Sequence, residues 1–291
     1  MISILTHRGI DPSGGANLLE SSKEAFQNQL KRGFGLEFDV QNTRDGEIVV
    51  IHDDTLSRLT NGLETKHIKD CTLGEITQYQ LRGGTIGTLT DILSLITRFG
   101  SPDVIHALHL KSPMQIPAVV DTVLKIIKHS GIKNIFLFDI KKETACLIKN
   151  LAPSIQIAPS VAHPYDIARF NKVVGGTLIS PEAAVTNRNL YNWVWLDEWD
   201  RQNVHGTTKK FYTDKLFKRL REAGFFIGLV TPELHRHSPG LLGGETHEDA
   251  LNNEILHKRI AEIVSLRPDA ICTDYPDFVR SHILNLELEA K

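Results

Sequence analysis

His7, Glu37, Asp39 and His52 all fall in the first fifth of the chain, each in or beside an apolar, β-branched run, a set suited to proton transfer next to concentrated negative charge. His7 closes the run Ile2 to Leu5 and precedes Arg8-Gly9, so a titratable ring, a fixed cation and a flexible backbone coincide where a strand opens into a loop. Enzymes of the α/β class carry their chemistry at such strand ends. Leu36 to Val40 and Ile48 to Ile51 flank Arg44-Asp45-Gly46-Glu47, and Asp-Gly between two β-rich runs predicts an antiparallel hairpin with a tight type I′ turn. With Asp45 and Gly46 as the two loop residues, Asp39 faces His52 and Glu37 faces Asp54. Glu37 and Asp39, two apart on a strand, share one face. A bulge would alter this register yet still leave two carboxylates and a histidine on one patch.

The elements that must position these groups are legible as alternating strand and amphipathic segments. Strands are expected at Ile2 to Leu5, Leu36 to Val40, Val104 to Leu110, Ile135 to Asp139, Ile155 to Ala158, Thr177 to Ser180 or Trp193 to Leu196, Phe226 to Val230, and Ala270 to Thr273. Eight such segments with helices between them imply an α/β chain folded as a (β/α)8 TIM barrel, irregular at the Asp45-Gly46 hairpin. At 291 residues, 41% of them hydrophobic, the chain reads as a single domain over 1–291 with a small insertion at about 54–87. A net charge of −2, with no Lys and Arg cluster interleaved with aromatics, excludes nucleic acid as a partner. No apolar run approaches the roughly 20 residues of a membrane span, so no stable membrane insertion is expected. The first strand starting at Ile2 leaves no room for a signal peptide, and a cytoplasmic protein is expected. Cys71, Cys146 and Cys272 are odd in number and far apart, which fits a reducing compartment without structural zinc, with Cys272 in the core. Nothing in the pattern sets an oligomeric state.

Several motifs occur together in a familiar order. These are His7-Arg8-Gly9, Glu20-Ser21-Ser22 with Ala25-Phe26, Glu37-Phe38-Asp39-Val40, Thr43-Arg44-Asp45-Gly46, His52-Asp53, Leu56-Ser57-Arg58-Leu59-Thr60-Asn61-Gly62, Thr88-Leu89, and Asp269-Ala270-Ile271-Cys272-Thr273-Asp274-Tyr275-Pro276. The chain thereby resembles the glycerophosphodiester phosphodiesterases of the phospholipase C-like barrel superfamily, densely up to about Asp91 and again at the C-terminus. The resemblance implies hydrolysis of a small-molecule phosphodiester, with His7 and His52 as acid and base and Arg8 and Lys111 on the phosphate. It further implies a neighbouring hydroxyl as first nucleophile and a cyclic phosphate intermediate. Glu37 and Asp39 would hold one divalent cation, Mg2+ or Ca2+ if all its ligands are oxygens.

Departures from the family pattern bear on the chemistry. Where the family carries Glu-x-Lys, this chain reads His109-Leu110-Lys111, keeping the lysine and losing an acid. If His109 takes the acid's place as a ligand, imidazole draws preference toward Mn2+ or Zn2+. Asp139, after Phe136-Leu137-Phe138, is the other candidate, with equal weight given to a helix N-cap before Lys141-Lys142-Glu143. The family's tryptophan after the seventh strand is replaced by Leu229-Val230-Thr231-Pro232-Glu233-Leu234-His235. That segment opens a long loop over 231–252 in which Glu233 and His235 are the expected substrate-selecting residues. Trp193, Trp195 and Trp199 are read as core rather than pocket. Two other readings remain: a catalytically impaired barrel that binds an anionic phosphate ligand, and a metal-independent phospholyase. The second leaves Glu37 and Asp39 as an uncompensated acidic pair.

Overall fold

The computed structural model describes residues 2–12, 18–79, 81, 83–201, 203–204, 207–234 and 247–289. Its strands are β1 (Ser3–His7), β2 (Gly35–Asn42), β3 (Ile48–Val50), β4 (His106–His109), β5 (Ile135–Phe138), β6 (Gln156–Ile157), β7 (Ser160–Ala162), β8 (Leu178–Ile179), β9 (Trp193–Asp197), β10 (Asn203–Val204), β11 (Thr207–Thr208), β12 (Phe226–Val230) and β13 (Ala270–Thr273). The parallel ladder runs β5-β4-β2-β1-β13-β12-β9, with β6 on β5 and β7 on β9. Proline at 159 has no N–H to continue the ladder, and there the strand changes partner. Asn192 N–H to the Ile157 carbonyl and Trp195 N–H to the Pro159 carbonyl, each 3.0 Å, join the two halves to β9 and close the ring. The kinked β6-β7 strand is therefore one stave of an eight-staved (β/α)8 barrel, with Trp193–Asp197 as its neighbour. Leu178–Ile179, the other sequence candidate for that stave, pairs with β7 outside the ring.

Alternation along each strand explains both layers. Leu36, Phe38, Leu108, Leu137, Val194, Ile227, Leu229 and Ile271 pack outward under the helices. Leu5, Ala107, Phe136, Phe138, Trp193, Trp195, Ala270 and Cys272 fill the barrel interior. The rings of Phe136 and Trp193 stack at 4.5 Å, and those of Phe138 and Trp195 at 4.2 Å. A Cβ at position 228 would stand 2.9 Å from Trp195 Cε3, so glycine there lets the indole lie across the barrel. Trp193 and Trp195 are thus core, whereas Trp199 packs apart from them on Phe170.

The hairpin forms, but one register away from the two-residue turn. Val40 faces Val50 and Asn42 faces Ile48, and Thr43 N–H bonds to the Glu47 carbonyl at 2.9 Å around Arg44-Asp45-Gly46. Gly46, with φ 84°, takes the left-handed position of a three-residue loop, and the extra residue shifts every pairing by one. Asp39 therefore pairs toward Ile51, whose N–H meets its carbonyl at 3.1 Å, and not toward His52. Beyond β3, residues Leu56, Ile68, Cys71, Ile76 and Ile86 form their own apolar cluster with Val49 and Ile51.

At the opening of the β2–β4 ladder, the fully buried His106 ring accepts the Leu36 N–H at Nδ1, 3.1 Å away. Accepting there requires a neutral ring, and burial lowers its pKa from 6.5 to about 4. The unfolded chain then binds more protons between these values, so His106 makes the fold less stable as pH falls from 6.5 to 4. His106→Asn, measured by urea unfolding, is expected to reduce that acid loss by up to about 3 kcal/mol. An unchanged pH slope would mean that His106 titrates normally in the folded protein.

Candidate active site

Inward positions at the carboxyl ends of adjacent strands are the source of the site. Following Leu5, the next inward residue on β1 is His7; on β2 they are Glu37 and Asp39; beyond Ala107 on β4 come His109 and Lys111; beyond Cys272 on β13 comes Asp274. The barrel supplies the convergence, since parallel pairing places Glu37 beside both His7 and Ala107 and Asp39 beside His109. Two non-glycine residues of this rim, Arg8 (φ 55°) and Asp139 (φ 69°), hold left-handed backbone, a cost that clusters at functional sites.

Asp39 is the hub. It is 1% exposed, and Oδ1 lies 2.9 Å from His109 Nδ1 and 3.1 Å from Lys111 Nζ, with Arg8 Nε 3.6 Å from Oδ2. Burial alone would raise its pKa, but Lys111, His52 and His109 outweigh this and hold it well below the usual range. On Glu37 the balance reverses: burial and then the Asp39 charge push its pKa up, outweighing His109, Arg8 and Lys111. The His109 ring lies between two acids, with Nε2 3.3 Å from Asp139 Oδ2, and stacks on Phe138 at 4.4 Å. Burial opposes its charge, yet the bonds to Asp139 and Asp39 raise its pKa to about 9. Asp139 is no helix cap, because Lys141 occupies that place ahead of Lys142–Leu151; its left-handed backbone turns it toward His109 instead.

Both predicted proton carriers sit here, each with a carboxylate on Nδ1. His7 bonds to Asp274 Oδ1 at 2.8 Å and His52 to Asp53 Oδ1 at 2.7 Å. Such a bond fixes the ring's orientation and leaves Nε2 for the reaction. Burial lowers the His7 pKa well below 6.5, aided by Arg8, and lowers that of His52 to about 4. Arg58 braces Asp53 through two bonds of 2.7 and 2.9 Å, and reaches Glu20 at 2.7 Å. Glu20 in turn lies 3.4 Å from Arg8, so one ionic chain links the His52 carboxylate to the cation beside His7. Lys111 Nζ also donates to the His52 carbonyl at 2.7 Å. Sequence reasoning assigned no role to Asp53, Glu20, Arg58 or Asp274. Asp274 was open to detection, since it continues the inward alternation of Ala270 and Cys272 past the last strand.

Of the loop over 231–252 the structure describes 231–234 and 247–252, and there Glu233 lies in the barrel mouth and not on an exposed surface. Glu233 is 1% exposed, with its carboxyl group bonded to Thr231, Thr273 and the Asp274 main chain, because a turn at Pro232 folds it back into the barrel mouth. His235 lies outside the described residues. His247 is fully buried and caps Glu248–Ala250. Its ring, Glu198 and Asp249 bring three possible metal donors together. Arg259, 2.5 Å from Glu198 Oε1 and 3.1 Å from Asp249 Oδ2, already supplies the positive charge there.

Around Glu37, Asp39 and His109 the donors suit a cation better. Their ligand atoms lie within 4.8 Å of one another, and Glu37 Oε2 and Asp39 Oδ2 are buried without a hydrogen-bond partner. Such orphaned carboxylate oxygens in one cluster are what a divalent ion satisfies.

A model of the Glycerophosphoryl diester phosphodiesterase family matches residues 7–278. Among curated proteins, a glycerophosphodiester phosphodiesterase of Caldanaerobacter subterraneus subsp. tengcongensis is 30% identical over 165 residues, 53% of this chain and 64% of that protein. One of Bacillus altitudinis is 32% identical over 171 residues, 54% of this chain and 66% of that protein. The chain thus spans just under two thirds of the length of these relatives. In fold it is similar to a glycerophosphodiester phosphodiesterase of Thermotoga maritima, with TM-score 0.60, 21% identity, and 99% of this chain and 98% of that chain covered. It is also similar to a phosphodiesterase of Oleispira antarctica solved with the product sn-glycerol-3-phosphate, with TM-score 0.63, 19% identity and coverage of 97% and 96%.

Lys111 is one of the charges that keep His52 neutral, and Asp39 opposes it. Lys111→Met is expected to raise the His52 pKa from about 4 toward 6.5, read from the ring proton shifts by NMR titration. A His52 titration that does not move would detach the lysine from this site.

Proposed function

As the chain belongs to the glycerophosphoryl diester phosphodiesterase family, we propose that it hydrolyses a small glycerophosphodiester by acid–base catalysis between His7 and His52. The observation that carries this reading is the pair of buried, neutral imidazoles, each oriented by its own carboxylate, on either side of Asp39. A phosphodiester anion repels nucleophiles, so its cleavage needs positive charge on the phosphoryl oxygens, a base for the entering hydroxyl and an acid for the leaving alkoxide. Arg8 and Lys111 supply the charge. The Lys111 contact with Asp39 Oδ1 at 3.1 Å and the looser ion pair of Arg8 with Oδ2 at 3.6 Å pre-position both, so little ordering remains to be done when the anion arrives.

One imidazole takes the proton of the substrate hydroxyl next to the phosphate. The other ring enters the step as imidazolium, its proton favoured by the bound phosphodiester anion; as the hydroxyl oxygen bonds to phosphorus and the bond from phosphorus to the leaving oxygen breaks, that imidazolium protonates the departing alkoxide, giving a cyclic phosphate. Such an intramolecular attack recovers roughly 7–11 kcal/mol through positioning. Water then opens the ring with the two proton roles exchanged, yielding a phosphomonoester. Each proton transfer contributes about 10²–10⁴ in rate.

Glu37, Asp39 and His109 are the residues that would hold a divalent cation, with Asp139 as the outer carboxylate that orients the His109 ring through Nε2. When bound, such an ion supplies Lewis acidity to a phosphoryl or hydroxyl oxygen. The nitrogen donor favours Mn2+ or Zn2+ over Mg2+ or Ca2+. A phospholyase reading also has an observation in its favour, since His109 between Asp39 and Asp139 places a side-chain cation near where a metal would sit. The orphaned Glu37 oxygen weighs against it.

The test is 31P NMR of a glycerophosphodiester such as glycerophosphocholine with wild type, His7→Ala and His52→Ala. The wild type is expected to convert the diester to a phosphomonoester, and each variant to lose at least about 10² in turnover with unchanged circular dichroism. Near wild-type turnover in either variant would remove that histidine from the mechanism. An inert wild type supplied with Mn2+, Zn2+, Mg2+ or Ca2+ would favour a phosphate-binding barrel.

A further inference from the structure

Glu233 is a buried carboxyl group that the proposed reaction does not use, and its surroundings connect it to one that does. Leu234 N–H bonds to the Thr231 carbonyl at 3.3 Å, closing a turn with Pro232 at its second position, where the fixed φ of proline suits the geometry. Leu234 and Val230 pack into the barrel interior on either side of this turn, which holds the Glu233 side chain against the end of β13. There Oε1 receives three donors: the Thr231 hydroxyl at 2.5 Å, the Thr273 hydroxyl, and the Asp274 N–H at 3.0 Å. Oε2 is buried and has no hydrogen-bond partner. The Asp274 side chain, with no exposure, carries the 2.8 Å bond to His7 Nδ1.

Two buried carboxyl groups brought together by the fold, with the Asp274 N–H on Glu233 Oε1, resist double ionisation. Asp274 has an imidazole for a partner, whereas Glu233 has two hydroxyls and one amide, so Glu233 is the group whose proton affinity rises. Burial first and the Asp274 charge second push its pKa up to about 7. The three donors gathered on Oε1 make it the acceptor that holds the β13 end, and a proton, when present, would sit on Oε2. The other charges that act on the His7 ring are Arg8, Asp39, Glu20 and Lys111, and Glu37 and Glu233 both act on the Cys272 thiol between them.

We propose that Glu233 is a positioning residue for His7, acting through Asp274: its Oε1 clamps the Thr273–Asp274 main chain and thereby aims the Asp274 carboxylate at Nδ1 of the ring. This rests on the reading of His7 as an acid–base group. A glutamine keeps the Oε1 acceptor and adds no charge, so it should serve in place of the acid. Alanine removes the clamp.

The experiment uses the full chain supplied with Mn2+, glycerophosphocholine as substrate, the variants Glu233→Gln, Glu233→Ala and Thr273→Val, and NMR titration of the His7 and His52 rings. Glu233→Gln is expected to keep kcat within about threefold, while Glu233→Ala loses at least about 30-fold in kcat with KM within about threefold. In Glu233→Ala the His7 titration should move and that of His52 should not. Unchanged kcat and His7 titration in Glu233→Ala would overturn the proposal, as would equal impairment of the glutamine and alanine variants or an equal shift of both histidines. If Glu233→Ala fails to fold, Thr273→Val decides, with the same selective effect on His7 expected and its absence overturning the inference. His7→Ala in the same assay separates the two readings: its full turnover would end the acid–base role of His7, whereas the His7 titration still tests the coupling to Glu233.

Discussion

Asp39 carries the arrangement of the barrel mouth. A carboxylate removed from water needs compensation on the spot, and Asp39 receives it from His109 and Lys111, at the end of β4, and from Arg8 in the loop after β1. Each of these cations is therefore positioned by the need to neutralise one acid. That same requirement leaves Glu37 without a partner of its own, and burial beside Asp39 pushes its proton affinity up. An acid pair with one buried oxygen on each member lacking a hydrogen-bond partner is suited to accept a cation.

The two histidines depend on the same balance. Burial first, then Arg8 and Lys111, oppose protonation of His7 and His52, while Asp39 favours it. In the proposed reaction an arriving phosphodiester would add negative charge next to both cations and shift the balance toward protonation. Asp53 and Asp274 then act mainly as orienters. Arg58 and Glu20 on one side, and Glu233 on the other, hold those orienters in the chain's own framework.

Strand period made much of this legible in the sequence. Apolar alternation marked the staves, and the spacing of Glu37 and Asp39 placed them on one face whatever the hairpin register. The register itself was not legible, because Asp45-Gly46 serves equally in a two-residue turn and at the end of a three-residue loop, and only the flanking pairs distinguish these. Asp139 read equally as a third metal carboxylate and as a helix cap before Lys141-Lys142-Glu143; its left-handed backbone places the side chain against His109, and Lys141 takes the cap position. Glu233 read as a loop residue since the turn that buries it depends on β13, some forty residues onward. Contacts between segments so distant in sequence leave no local periodicity to detect.

If the unpaired acid beside Asp39 exists to hold a cation, the most direct measurement is calorimetric titration of metal-free protein with Mn2+, without any substrate. One ion per chain is expected to bind to the wild type, with binding lost in Glu37→Gln, a variant that keeps every Asp39 contact. No binding to the wild type, or undiminished binding in the Glu37→Gln protein, would contradict the account and return His109 to the role of the site's own cation.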